Sequence, residues 1–305
     1  MTTNAPVAGR HPVLPDTMLP GLFQAADRAS LDGQRRYVWL TGWRLGLAAA
    51  AAVTGAFTLT FGRHLDFAAL GTVLAFGCAA VLEQFFIRGK PEQAWYDGRA
   101  VAESAKTLAW RYAVGADPFP TTNDDATVDR LFNEQLRLLL SDAPNKNLRP
   151  TEDPAISAAM RTLRASDLDN RKQTYLTDRI IDQQQWYTRK AEYNRGRAQR
   201  WRWSLFLLEV LGALAAALRA VQIVSFDLTG IFAAMVAGGV AWLGMKQHDS
   251  LARAYTFASH ELSMIRSRLE GPTTEQRWAA EVRDAEEAIS REHTMWRASR
   301  SAMVM

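Results

Sequence analysis

The chain has a single cysteine, Cys78, and it lies inside an apolar run. That excludes an intrachain disulfide and any cysteine-based metal site, and it fits soluble parts that face a reducing compartment. The five histidines, His11, His64, His248, His260 and His293, never recur at i+3 or i+4. No HExxH, no zinc-spaced Cys–His set, no nucleophile motif and no phosphate-cradling glycine loop after a strand is present. The acidic stretch Asn123-Asp124-Asp125 lacks the glycine and the closing glutamate of a calcium loop. Period-two alternation of useful length is missing too, which argues against a sheet. Charge of one sign is scarce: the net charge is only +4 in 305 residues, with no basic block of the kind that tracks nucleic acid. These absences predict an all-α protein that is not an enzyme, takes no cofactor and no metal, and has no nucleic-acid partner.

What is abundant is apolar sequence in runs. Leu45–Phe61, Phe67–Leu82 (continuing through Glu83-Gln84 to Ile87), Trp203–Leu218 and Leu228–Met245 are each close to the roughly 20 residues that cross a hydrocarbon core. They pair as two hairpins. Arg35, Arg36 and Arg44 precede the first run, Arg88 and Lys90 follow the second, Arg195, Arg197, Arg200 and Arg202 precede the third, and Lys246 follows the fourth. The turns inside the hairpins carry little charge. The positive-inside rule therefore predicts four membrane spans, with both termini and the middle of the chain cytoplasmic, and the bilayer as a partner. Trp39, Trp43, Trp201 and Trp203 stand at the basic ends, where an interfacial belt is expected. Small residues at fourfold spacing, Gly212 and Ala216 in the third run and Gly230, Ala234 and Gly238 in the fourth, offer faces for close helix packing in lipid.

A long amphipathic helix follows each hairpin. Ala94, Gly98, Val101, Ala105, Leu108 and Tyr112 step by three and four, and so do Leu251, Tyr255, Ala258, Leu262, Ile265 and Leu269. Each seam suits packing within the chain or against another subunit. The unit of hairpin plus cytoplasmic helix thus occurs twice, about 160 residues apart. Residues 1–21, with four prolines and no apolar run, read as a disordered tail. Residues 22–113 form the first two-span unit, 114–171 a helical linker and 172–300 the second two-span unit. In the linker Ala126–Leu140 reads as one helix and Pro154–Ala165 as another, capped by Asp153. Thr273 and Gln276 form a capping-box pattern before a last helix whose apolar face is Trp278, Val282, Ala285, Ile289 and Trp296.

Two stretches resemble a known family. Tyr175-Leu176-Thr177-Asp178-Arg179-Ile180-Ile181-Asp182-Gln183-Gln184-Gln185-Trp186-Tyr187-Thr188-Arg189-Lys190-Ala191, leading into Asn194 and the third run, resembles the SLATT family, the two-transmembrane effector domains associated with SMODS nucleotidyltransferases and SLOG sensors. Trp95-Tyr96 through Ala102-Glu103-Ser104-Ala105-Lys106 to Trp110-Arg111-Tyr112 resembles the post-hairpin helix of another branch. Together they look like a tandem of two SLATT units. The second unit lacks the WRY of the trailing helix and carries His260-Glu261-Leu262 instead. The resemblance implies a homo-oligomeric membrane effector of bacterial conflict systems, seated in the inner membrane, that forms a pore or perturbs the bilayer when a partner makes or senses a nucleotide signal. It implies no catalytic residue.

The candidate pore-lining residues are the two carboxylates inside apolar runs, Glu209 and Glu83. An ionised carboxylate at the centre of a span costs on the order of 3 kcal/mol. Glu209 lies six residues past Trp203, about 9 Å along a helix. It can line a watery lumen as an acidic ring, be neutralised between helices, or reach up to the interface. A non-conducting scaffold that recruits a cytosolic partner through its helical stalk is the competing function, and an unfamiliar enzyme site in the linker is a third.

Overall fold

A computed structural model describes residues 12–58, 60–61, 65–143, 148–223, 227–271 and 274–301. The described residues are overwhelmingly helical: α1 Gly21–Gly55, α2 Phe67–Gly89, α3 Pro91–Ala113, α4 Asp125–Ser141, α5 Ala158–Arg164, α6 Leu168–Thr174, α7 Asp182–Ala220, α8 Leu228–Lys246, α9 His248–Leu269 and α10 Glu275–Ser301. A π-helical segment, Tyr175–Ile181, joins α6 to α7. Two-residue strands, Thr60–Phe61 and Leu65–Asp66, pair antiparallel in the turn between α1 and α2.

The chain forms two compact units, and neither is one half of the sequence. Unit 1 comprises Met1–Gln34, Glu92–Arg189 and Tyr255–Met305; unit 2 comprises Arg35–Pro91 and Lys190–Ala254.

Unit 1 buries large apolar and aromatic side chains in an interior core. Its core joins Phe23 and Ala26 of α1, Val101, Ala105, Ala109 and Tyr112 of α3, Phe132 of α4, Met160 and Leu163 of α5, Ala258, Leu262 and Ile265 of α9, and Trp278, Val282, Ala285 and Ile289 of α10. The seams of α3 and α9 are thus filled by the chain's own side chains, with Leu108 and Tyr255 packed at the margin. Gly98 lets α3 touch the α1 backbone: a Cβ there would stand 2.8 Å from the Ser30 nitrogen and 3.0 Å from the Ala26 oxygen.

Several expectations change here. The segment from Leu14 on is packed rather than a free tail, because Leu14 and Leu19 are both core residues, each 2% exposed. The helix expected from Pro154 begins instead at Ala158, with Ser157 as its cap. The reason is long-range: the Pro154 carbonyl accepts from the Gly21 nitrogen at 3.1 Å, which ties that strand of chain to the start of α1. Thr273 lies outside the described residues, and the Thr274 hydroxyl accepts from Arg277 N at the start of α10. The side chain of Trp296 is likewise outside them.

Unit 2 has the opposite burial. Among its buried apolar residues alanine predominates: Ala51, Ala68, Ala75, Ala191, Ala198, Ala215 and Ala252, with Leu40 and Leu205. The large side chains point outward, as with Val73, Leu74, Phe76, Phe85, Phe206, Leu207 and Val240, each at least half exposed. Water would penalise so much exposed apolar surface, whereas lipid accepts it and favours small residues at helix contacts. Three helical stretches, Phe67–Ala113, Leu168–Ala220 and Leu228–Leu269, are long and apolar enough to cross a membrane, and at most 11% of their apolar windows is buried. The first run is not among them. α1 stops at Gly55, so the run's last residues, from Ala56 on, fall outside the helix, and five of the eleven that remain are alanine.

Both second helices of the hairpins are built alike. Asp66 caps α2 by accepting from Ala68 N and Ala69 N, and Asp227 caps α8 by accepting from Gly230 N. Each ends on a left-handed residue, Lys90 (φ 38°) and Gln247 (φ 50°), after which α3 and α9 start at once. A left-handed break is how a helix ends within one residue, and here it separates an apolar helix from an amphipathic one.

Candidate functional site

The carboxylates singled out from the sequence have different surroundings. Glu209 is exposed on α7 among exposed Phe206, Leu207 and Val210, and makes no ion pair among the described residues. Glu83 of α2 is paired with Arg44 of α1 at 2.7 Å, with both side chains more than a third exposed. Arg44 also stacks on Phe86, 5.3 Å from the ring centre. Glu83 is therefore half of a neutral pair, and Glu209 is a lone acid on an apolar surface.

Of the small residues, Gly212 faces Phe232 of α8, with 3.2 Å from its built Cβ to the Phe232 Cβ. Gly230 faces the capping Asp227 instead of another helix, and Gly238 has open space around it. The close approach lies one residue on, at Gly239, where a Cβ would stand 2.6 Å from Leu205 Cδ2. Ala216 is exposed and Ala234 half-buried. Trp39, Trp43 and Trp203 are more than half exposed, with Trp39 and Trp43 in edge contact at 6.0 Å; Trp201 is half-buried.

The stretch beginning at Tyr175 is an interior structure. Tyr175 and Arg179 lie in the π-helical segment, and Arg179 is 2% exposed. Glu286 of α10, fully buried, accepts from Arg179 Nε (2.9 Å) and Nη2 (2.7 Å), from the Tyr175 hydroxyl (2.9 Å) and from the Thr107 hydroxyl (2.9 Å). Burial opposes the Arg179 charge, and the Glu286 carboxylate more than restores it, so the guanidinium stays protonated. Burial, and then the same carboxylate, hold the Tyr175 hydroxyl well above its usual pKa. Further along, Trp186 and Tyr187 pack on Tyr255, with ring centres 5.4 and 5.7 Å apart. Asn194 accepts from His248 Nδ1 at 2.7 Å within unit 2.

The sequence reading missed Arg179 and Glu286 as a pair, although a signal was there. Glu286 falls on the apolar face of α10, four residues after Val282 and three before Ile289, where a charge requires a buried partner. It missed Arg164 and Arg171 in the same way. Both are almost fully buried and brace the 112–120 loop: Arg164 donates to the Tyr112, Phe119 and Pro120 carbonyls, and Arg171 to that of Val114 and to Glu275. A polar cavity of about 460 Å³ lies beside them, also lined by Arg161, Asp125 and Asp167. Its cations are already spent: Arg161 pairs with Asp129, Arg164 with Asp125 and Arg171 with Glu275. Among the described residues no group of three His, Cys, Asp or Glu could hold a metal.

The chemistry on offer is thus that of a membrane surface joined to a braced helical body. No curated protein and no solved structure matches the chain. Residues 20–172 match the family described as SMODS and SLOG-associating 2TM effector domain 3, and residues 175–296 match SMODS and SLOG-associating 2TM effector domain 1. These are membrane effector domains linked to defence systems. The two matches meet next to the π-helical segment and together cover nearly all the described residues, so the chain belongs to the SLATT family, as a tandem of two such domains.

Proposed function

We propose that the chain is a four-span membrane effector that assembles as a homo-oligomer and opens the bacterial inner membrane when a nucleotide-signal partner acts. The observation that carries this reading is Glu209, an exposed, unpaired carboxylate on an otherwise apolar helix surface. Facing lipid, an ionised carboxylate costs on the order of 3 kcal/mol near mid-bilayer. Facing a shared lumen, it is hydrated, and several copies form a ring that favours cations. In this reading the first run completes the hairpin with α2, both termini are cytoplasmic, and the Arg44–Glu83 pair lies beside the lumen as a neutral element. The α3 and α9 seams support a pore over a scaffold, because they are filled from within the chain and are not free to recruit a partner.

The test is potassium efflux and membrane potential in bacteria on induced expression, wild type beside Glu209→Leu at equal membrane level. Depolarisation by the wild type, and its loss or altered cation preference in Glu209→Leu, is the expected result. Equal depolarisation by both keeps a pore but removes Glu209 from its wall. Tight cells with a matched signalling partner present refute conduction.

A further inference from the structure

The end of α8 carries positive charge that no ion pair among the described residues balances. Arg197 of α7, Lys246 at the last position of α8 and His248 at the first of α9 form one group in unit 2. The Asn194–His248 hydrogen bond, 2.7 Å, fixes α7 against the α8–α9 junction. Arg197 follows Asn194 by one helical turn on the same face, and Lys246 precedes His248 by two residues. Burial lowers the His248 pKa, and the positive charges of Arg197 and Lys246 lower it further. Neither Arg197 nor Lys246 makes an ion pair among the described residues, and the Arg197 Nε is buried with no hydrogen-bond acceptor. The adjacent carboxylate, Asp249, is taken by Arg202. Both free cations rest on aromatic rings, Lys246 at 4.8 Å from the Trp242 centre and Arg197 at 6.0 Å from that of Tyr193. Rings hold the charges in place without neutralising them.

Two cations held on rings beside the end of an apolar helix, one of them with a buried donor left unsatisfied, lack one thing, an oxyanion. We propose that Arg197 and Lys246, held beside each other by the His248–Asn194 bond, bind the phosphate of an anionic phospholipid headgroup at the membrane surface. A lipid is favoured over a free phosphate because the group sits where α8 ends, beside Trp242 and Trp201 at the ring-rich margin of the apolar surface. Basic pockets between spanning helices on the cytoplasmic side take anionic headgroups by this chemistry. The inference rests on the membrane-spanning reading of α7 and α8.

The experiment uses the full chain in a neutral detergent. Its thermal midpoint is titrated with phosphatidylglycerol, with phosphatidylcholine, and with inorganic phosphate, for wild type, Arg197→Gln/Lys246→Gln, and Arg35→Gln/Arg36→Gln as a control on the other hairpin. Each basic side chain near an anionic surface contributes roughly a fivefold preference, so losing two weakens phosphatidylglycerol binding about 30-fold. Stabilisation of wild type and control by phosphatidylglycerol alone, lost in Arg197→Gln/Lys246→Gln, supports the site. Equal response of all three proteins overturns it, and an equal effect of inorganic phosphate overturns the lipid assignment. Flotation with phosphatidylcholine vesicles separates the two layers of the argument. A chain that does not float refutes the membrane reading itself, whereas one that floats but shows no headgroup preference refutes only the site.

Discussion

Replacing Glu286 with leucine leaves the Arg179 guanidinium in the interior of unit 1 with no counter-charge. Four hydrogen bonds are lost at once: two from Arg179, one from Tyr175 and one from Thr107. Solvent cannot step in, because the side chains are 2% and 0% exposed. Removing one partner of a buried ion pair costs about 3–5 kcal/mol. For a unit of this size that lowers the thermal midpoint by roughly 10 °C. Tryptophan fluorescence of the detergent-solubilised chain reads the transition, since Trp110 and Trp278 each lie within 6 Å of Tyr175, ring centre to ring centre. The double variant Arg179→Met/Glu286→Leu should recover part of the loss, because two apolar groups of similar volume replace the pair. Recovery stays incomplete, with the Tyr175 and Thr107 hydroxyls each costing about 1–3 kcal/mol when left unsatisfied. A midpoint for Glu286→Leu within 2 °C of wild type, or a double variant that loses the sum of the two single losses, would refute the reasoning. Either result would mean that Arg179 finds water or another acceptor.

The remaining expectations concern packing and pH. Gly98→Ala should destabilise unit 1 by about 1–3 kcal/mol, because the new methyl meets α1 backbone rather than a movable side chain; Gly196→Ala on α7, with open space around it, should not lower the midpoint. His248, with its pKa below the usual 6.5, is neutral when folded and charges more readily when unfolded. The unfolded chain therefore binds more protons just below pH 6.5. The contribution of His248 to stability is full above that pH and falls as the pH drops through it. Asp249 favours protonation but is outweighed by burial, Arg197 and Lys246. Thermal midpoints at pH 7.5 and 5.5 check this, and the drop should shrink in His248→Gln.

The helices were legible where one local pattern dominates. α2 and α8 begin and end close to where their apolar runs do, since burial in lipid or protein needs no long-range partner to be recognised. The tandem was legible for a similar reason, because the residues around Arg179 and Trp95 keep a family pattern. Long-range constraints were not legible. Pro154 reads locally as a helix start, but its carbonyl is claimed by Gly21, far away in sequence. Fourfold spacing points to Gly238, and only the rotation of α8 against Leu205 makes Gly239 the crowded one. Glu83 and Glu209 look alike in the sequence, yet only Glu83 is met by an arginine, and that arginine belongs to another helix. The charged residues inside unit 1 could have been flagged by their place on apolar faces, but not matched to partners more than a hundred positions away.

The interleaving of the two compact units also sets the order in which the chain can be made. Leu14, Leu19 and Phe23 leave the ribosome long before Trp278 and Val282, which complete the core that receives them. Between them in the chain come both stretches of unit 2, with its apolar helices. The early segments of unit 1 therefore cannot complete their core until Trp278 and Val282 have been made. A truncated product loses the centre of that core along with its end, and cutting the gene at the junction of its two repeats would yield two halves, neither of which holds a whole folding unit.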